Sequence, residues 1–221
     1  MAILKNIIVC FFTLLFFELH AQEKPNFLWL VCEDQSLFFS AYGDSNAYTP
    51  NINQLAKDGV VYENCFSTSP VCAPSRSSLI TGMYPTSIGT QNMRAYKKGK
   101  QGNNLHNNLP FYSPVPKRRV QFFTEILRAD SYYCSNNSKE DYNMQCSPLA
   151  WDESSPKAHW RNREGKQPFF SVFNFSSSHE SSVWKKEIGH SSHDINKFNL
   201  PSIFPDNNLI KRDFLTNYKN I

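Results

Sequence analysis

Asn26-Phe27-Leu28-Trp29-Leu30-Val31, followed at once by Cys32-Glu33-Asp34, is the stretch on which the fold turns. After Asn26 the run is apolar on every residue. A half-buried strand would alternate, so this one predicts a central strand covered on both faces, as in α/β proteins. Phe169-Phe170-Ser171-Val172-Phe173-Asn174-Phe175 is a second buried strand by the same argument. Between the two, helices and strands alternate. Thr49-Pro50 opens a helix, with Thr as N-cap and Pro in the first turn. Ile52, Leu55 and Ala56 line one side of it, and Gly59 closes it. Val60-Val61-Tyr62 reads as a short strand. A short helix is predicted to begin at Pro74 and run to Thr81, where Gly82 stops it. Phe122, Phe123, Ile126 and Leu127 keep helical spacing within 120–128, and Tyr132-Tyr133-Cys134 is a candidate strand. Residues 95–118 and 144–167 are polar and turn-rich, as irregular excursions are. Leu209, Ile210, Phe214, Leu215, Tyr218 and Ile221 lie along one side of a last, amphipathic helix, which runs into the chain end without a cap.

Alternation of this kind predicts an α/β fold with a mainly parallel sheet and helices on both faces. Ligands of such sheets bind beyond the carboxyl ends of the strands. Glu33 and Asp34, Cys72, Lys139 and His179 each follow a strand candidate, which gathers polar groups at one edge.

Composition narrows the function classes. The 221 residues are the length of one domain, and 40% are hydrophobic, with 18 Phe, 10 Tyr and 4 Trp. That excludes a disordered chain. The 8 Gly and 13 Pro show no period, so collagen-like and repeat architectures fail. Net charge is only +4, and the one short basic run, Lys117-Arg118-Arg119, is too small for a nucleic-acid-binding stripe. No nucleic-acid partner is expected.

Residues 1–21 read as a secretory signal: Lys5 supplies the positive start, Ile7 to Phe17 the apolar run, and Ala21 the small residue before Gln22. The run is shorter than the roughly 20 residues a bilayer span needs; a retained anchor helix is the alternative. The expected product, residues 22–221, is exported to a periplasmic or extracellular place with no membrane span. Of six cysteines, Cys10 leaves with the signal and an odd number remains. Cys134 and Cys146 could pair, while Cys32 and Cys65 suit buried free thiols. The odd thiol asks for a chemical reason.

Taken singly, the edge residues have ordinary explanations: two solvated loop acids, a surface lysine, a loop histidine. Glu33 beside Asp34 is nevertheless two like charges in close company, which a hard divalent cation would relieve. Cys72 decides between these readings. Pro70-Val71-Cys72-Ala73-Pro74-Ser75-Arg76-Ser77-Ser78-Leu79-Ile80-Thr81-Gly82 resembles the sulfatase signature, Cys-x-Pro-Ser-Arg with its downstream Leu, Thr and Gly, at every specified position.

The resemblance is to the formylglycine-dependent type I sulfatases and extends from Pro25 to Ile221. It implies the alkaline-phosphatase/sulfatase-like arrangement of a parallel sheet between helices. It also implies that Cys72 is oxidised to formylglycine by a formylglycine-generating or anaerobic sulfatase-maturating enzyme. One hydroxyl of the hydrated aldehyde attacks sulfur and displaces the alcohol or amine; the other then loses its proton and expels sulfate. Arg76 would hold the diol or sulfate oxygens. Glu33 and Asp34, with residue 72, would hold Ca²⁺, Mg²⁺ being the alternative. The family usually carries Asp-Asp where this chain has Glu33-Asp34. The family's lysine lies in a Gly-Lys context after a Gly-Tyr strand; here both glycines are serines, Ser131 and Ser138, and Lys139 is the match, to hold a sulfate oxygen. His179, in Ser178-His179-Glu180, corresponds to the histidine that serves as general acid or bonds the leaving atom.

Gly89-Thr90-Gln91-Asn92-Met93-Arg94, Asn136 to Asn143, and Trp151-Asp152-Glu153-Ser154-Ser155 with Lys157-Ala158-His159 look like the bacterial sulfamidase-like, or heparan N-sulfatase-like, branch. A sulfated carbohydrate is the implied substrate, as in glycosaminoglycan degradation, with Arg94 the candidate for a sugar acid group. The family supplies further metal ligands, an Asp followed by His or Asn, from a later strand. No Asp-His-Gly or Asp-Asn-Gly follows His179, so the catalytic domain is expected to be incomplete and inactive at this length. Two other functions fit parts of the sequence: a phosphonate or phosphate monoester hydrolase of the same fold, and a secreted glycan-binding remnant that keeps its thiol.

Overall fold

In the computed structural model, residues 23–93, 114–115, 120–184 and 195–220 are described. Residues 1–21, where a signal is expected, with Cys10 among them, and Arg94 and Lys117-Arg118-Arg119 lie outside them. The elements in chain order are β1 (Phe27–Cys32), α1 (Pro50–Asp58), α2 (Cys72–Thr81), α3 (Pro85–Ile88), α4 (Phe123–Ala129), β2 (Tyr133–Asn137), β3 (Glu153–Ser154), β4 (Phe169–Phe175), α5 (Ser181–Trp184) and α6 (Asn208–Asn220). Short 3₁₀ turns fall at Ser40–Tyr42, Trp160–Asn162 and Ile195–Lys197.

The sheet is parallel throughout, in the order β1-β4-β2-β3. Phe27 pairs with Phe170 and Cys32 with Phe175 on one side of β4; Tyr133 pairs with Phe169 and Asn137 with Phe173 on the other. The last strand in sequence is therefore inserted between the first two, so β1, β4 and β2 end side by side. That adjacency positions the site.

One face of the sheet carries Trp29, Cys134, Phe170 and Val172 against α2 and α4. Phe123 of α4 packs edge-on to Phe170 at 5.0 Å, and Trp29 meets both rings at 5.0 and 5.5 Å. Phe170 is 2% exposed, and burying a ring that completely contributes about 1.5–3 kcal/mol. On the opposite face Trp160 stacks on Phe169 and meets Phe173 edge-on, so the segment following β3 covers that half of the sheet. Between strands, Ser135 and Ser171 satisfy each other's buried hydroxyls at 2.7 Å. Beyond the carboxyl end of β1, Phe214 and Tyr218 of α6, one turn apart, gather Phe38, Phe198 and Phe204 into a second aromatic cluster. Asn207 caps α6 by accepting the Ile210 N–H.

Several expectations are corrected. β1 is an edge strand among the described residues, with Leu28 46% and Leu30 51% exposed, rather than a strand covered on both faces. Residues 60–62 form no strand; they are exposed and no described strand pairs with them. α2 begins at Cys72, two residues before Pro74, because Pro fits within the first turn as well as at its start. Its end is as expected: Gly82 takes φ +66° and donates its N–H to the Ser78 carbonyl. Thr49 caps nothing through its side chain, its hydroxyl being engaged by Ser40. Cys32, Cys65, Cys72, Cys134 and Cys146 are all free thiols; Cys32 and Cys65 are exposed, and Cys134 is the buried one. No described helix is long and apolar enough to cross a membrane.

Candidate active site

The carboxyl ends of β1, β4 and β2 deliver Glu33-Asp34, Ser178-His179 and Lys139 to one place. The Glu33 N–H extends the β1–β4 ladder by donating to Phe175 O, 3.1 Å. Buried Ser178 donates its hydroxyl to the Glu33 carbonyl. Asp34 then turns the chain at φ 50°, in the left-handed region that Asp tolerates better than most residues. Its Oδ2 accepts the Glu180 N–H at 3.0 Å. Two loops are thus stitched together through the backbone around the two acids.

Glu33 is the hub. Its side chain is 4% exposed and both oxygens are engaged: Oε1 by Arg76 Nη2, Oε2 by Lys139 Nζ at 2.7 Å. Burial pushes its carboxyl up, but the Lys139 hydrogen bond and the Arg76 guanidinium outweigh that and hold it below its ordinary 4.5. Arg76, projecting from the second turn of α2, also donates through Nη1 to Asn174 Oδ1 at 2.8 Å and to the Lys139 carbonyl at 3.2 Å. The guanidinium is buried, and its fork geometry lets it serve three acceptors on three strand ends.

Cys72 stands at the first position of α2, half-buried, with Sγ 3.9 Å from Asp34 Oδ1. It follows no strand, contrary to the sequence expectation; the helix start itself brings it to the strand ends. Burial raises its thiol pKa, Lys139 opposes this, and the Asp34 and Glu33 carboxylates add to the rise. The thiol therefore stays protonated at neutral pH and is a poor nucleophile in that form. A helix N-terminus and the cations Arg76 and Lys139 favour an anion nearby.

His179 completes the cluster. One ligand atom each of Glu33, Cys72 and His179 lie within 4.8 Å of one another. The Ser181 N–H donates to His179 Nδ1 at 3.2 Å, so the neutral ring carries its proton on Nε2. That tautomer is a hydrogen-bond donor through Nε2, suited to bonding a leaving atom; proton transfer to that atom would come from the imidazolium form. For a cation, the donor set is right in kind: Glu33 and Asp34 offer hard oxygens, and each Glu33 oxygen keeps a lone pair beyond its present bond.

The structure brings Glu33, Asp34, Cys72, Arg76, Lys139 and His179 together. Arg94 lies outside the described residues. The segment leading to it is held by Asn143, whose amide donates to the Thr90 and Asn92 carbonyls, and by a 2.7 Å contact between the Ser77 and Thr90 hydroxyls. Asn174 and Ser178 were not singled out for a role by the sequence. An Asn inside a Phe- and Val-rich strand was the available signal, since a buried amide needs partners.

Residues 25–198 match the family model described as Sulfatase. The chain is 41% identical over 239 aligned residues to an ulvan-active sulfatase of Formosa agariphila, covering 92% of this chain and 39% of that protein. It is 33% identical over 153 residues to human N-acetylgalactosamine-6-sulfatase, covering 66% of this chain and 28% of that one. Among solved structures, a 2-O GAG sulfatase superposes with a TM-score of 0.55 at 21% identity, over 84% of this chain and 42% of that one, and shares the fold. The chain spans about two fifths, or less, of the length of these relatives. It belongs to the sulfatase family.

Proposed function

Starting from that family membership, we propose that this chain carries the nucleophile half of an exported hydrolase that removes sulfate from sulfated carbohydrates. The carrying observation is the convergence of Cys72, Arg76, Lys139 and His179 on the Glu33-Asp34 acids at three neighbouring strand ends. The relatives at 41% and 33% identity are glycan sulfatases by name, which favours sulfate over a phosphonate or phosphate ester.

Each residue has a task that its surroundings support. Residue 72, once converted from Cys to formylglycine by a maturation enzyme, supplies an oxygen nucleophile to the sulfur. Lys139 and Arg76 bind the sulfate oxygens as a charge-complementary pair. His179 serves the departing oxygen or nitrogen through Nε2, as a hydrogen-bond donor when neutral and as general acid when protonated. Arg94 meets an acidic group of the sugar. A divalent cation, Ca²⁺ or Mg²⁺, held by Glu33 and Asp34, would polarise a sulfate oxygen when bound. Two carboxylates are fewer than the about six to eight oxygens Ca²⁺ takes. We therefore assign the missing ligands to polypeptide continuing past Ile221, in keeping with the 39% span of the Formosa relative. The likeness to the heparan N-sulfatase-like branch sets an N-sulfo amino sugar beside O-sulfated polysaccharides as substrates.

The test is to express the gene product extended past Ile221 with a maturation enzyme and measure inorganic sulfate released from ulvan and from heparan sulfate. Intact-mass analysis of the peptide spanning Cys72 should show loss of H₂S and gain of one oxygen. Sulfate release is expected from the extended protein and not from Cys72→Ala. Full-rate release by Cys72→Ala, or by protein whose residue 72 is still a thiol, refutes the proposal.

A further inference from the structure

Asn174 is the one amide on β4, a strand otherwise built of Phe, Val and Ser. Its two ends are fully committed. Oδ1 accepts from Arg76 Nη1 at 2.8 Å; Nδ2 donates to Asn136 Oδ1 at 3.0 Å and to the Asn137 carbonyl at 3.1 Å. Asn136, 1% exposed, donates in turn to Ser154 Oγ, whose hydroxyl donates to Glu140 Oε1 at 2.7 Å. A chain of side-chain hydrogen bonds thus crosses β3, β2 and β4 and ends on the guanidinium that grips Glu33. The order of donors and acceptors fixes the amide. Flipped, it would aim NH₂ at Arg76 and a carbonyl at the Asn137 carbonyl, both repulsive. An apolar residue at 174 would pack as Phe170 and Val172 do and would leave Arg76 Nη1 with only the Lys139 carbonyl.

We infer that Asn174 is a positioning residue of this site. Its amide, oriented by Asn136, sets the Arg76 guanidinium and through it the Glu33 carboxylate. The geometric half of this inference is independent of the reaction; its kinetic half rests on the sulfatase reading.

The two halves are tested separately. In ¹H–¹⁵N spectra of the protein, the Arg76 Nη protons are expected as separate, slowly rotating signals. Asn174→Ala should collapse them toward those of a free arginine. Arg76 signals unchanged in a folded Asn174→Ala protein overturn the inference. Should that variant fail to fold, Asn174→Leu, close in volume and without an acceptor, carries the same expectation. In the extended protein, sulfate release by Asn174→Ala should fall about ten- to a hundredfold in kcat. In an Arg76→Ala background the same change should cost less than about twofold, because the group it positions is gone. An equal loss in both backgrounds marks a purely structural role and also overturns the inference. A wild type that releases no sulfate counts against the sulfatase reading, and the spectra then decide the role of the amide.

Discussion

Glu33→Gln is the substitution that tests the site's electrostatics most directly. The wild-type carboxylate answers two cations, one buried in Arg76 and one about a quarter exposed in Lys139. Glutamine keeps the shape and one acceptor oxygen but removes the charge. Deleting one partner of a buried pair costs about 3–5 kcal/mol, because the remaining charge is uncompensated. Here Lys139 can recover some hydration, so the lower end applies, about 3 kcal/mol. For a chain of this size that is a fall in Tm of about 6–12 °C. The pH dependence follows from the direction of the shift. A carboxyl held below its ordinary 4.5 contributes its full stability above that pH and loses it as pH falls through the folded value. The wild type should therefore approach the melting temperature of Glu33→Gln below pH 4.5, with the gap widest at neutral pH. Because the variant bares two adjacent cations, inorganic sulfate should raise its Tm more than it raises that of the wild type. Thermal unfolding followed by circular dichroism, with and without sulfate, measures all of this. A neutral-pH difference under about 2 °C, set against the expected fall of about 6–12 °C, would refute the hub role given to Glu33.

Three further outcomes are expected. Ser178→Ala removes the buried hydroxyl that fixes the Glu33 carbonyl and should cost about 1–2 kcal/mol in chemical denaturation. Gly82→Ala forces a side chain onto φ +66° with no steric neighbour, so the loss should be purely conformational, about 1 kcal/mol, read as a small drop in Tm. Asp152→Asn weakens a partly exposed contact with Arg128 and the acceptor for the Cys134 N–H. It should lower stability by about 1 kcal/mol, an effect that shrinks in high salt where the Arg128 share is screened.

Much of this was legible in the residues themselves. β4 begins and ends where its apolar run does, and β1 differs by one residue. Their parallel pairing follows from the intervening helices. Cys72 was found by its motif, and Lys139 and His179 by lying just past strand ends. What stayed hidden was non-local. Val60–Tyr62 has the composition of a strand but no neighbouring edge, and an edge is supplied by residues far away in sequence. Asn174 reaches Arg76 across 98 positions and Asn136 across 38, distances that no local pattern encodes. The exposure of β1 was equally invisible, since an apolar run states what a strand should bury and not whether a cover is present.

That bare rim has a practical meaning. Among the described residues, no strand pairs with the outer edge of β1, which is flanked by Leu28 and Leu30 on one side and a partly exposed Trp29 on the other. Any extended segment that arrives there, from further along the polypeptide or from another copy, is templated into the ladder. Left to itself at high concentration, the 221-residue chain should clump by strand addition, and a charged residue at position 28 or 30 is the simplest way to keep it in solution.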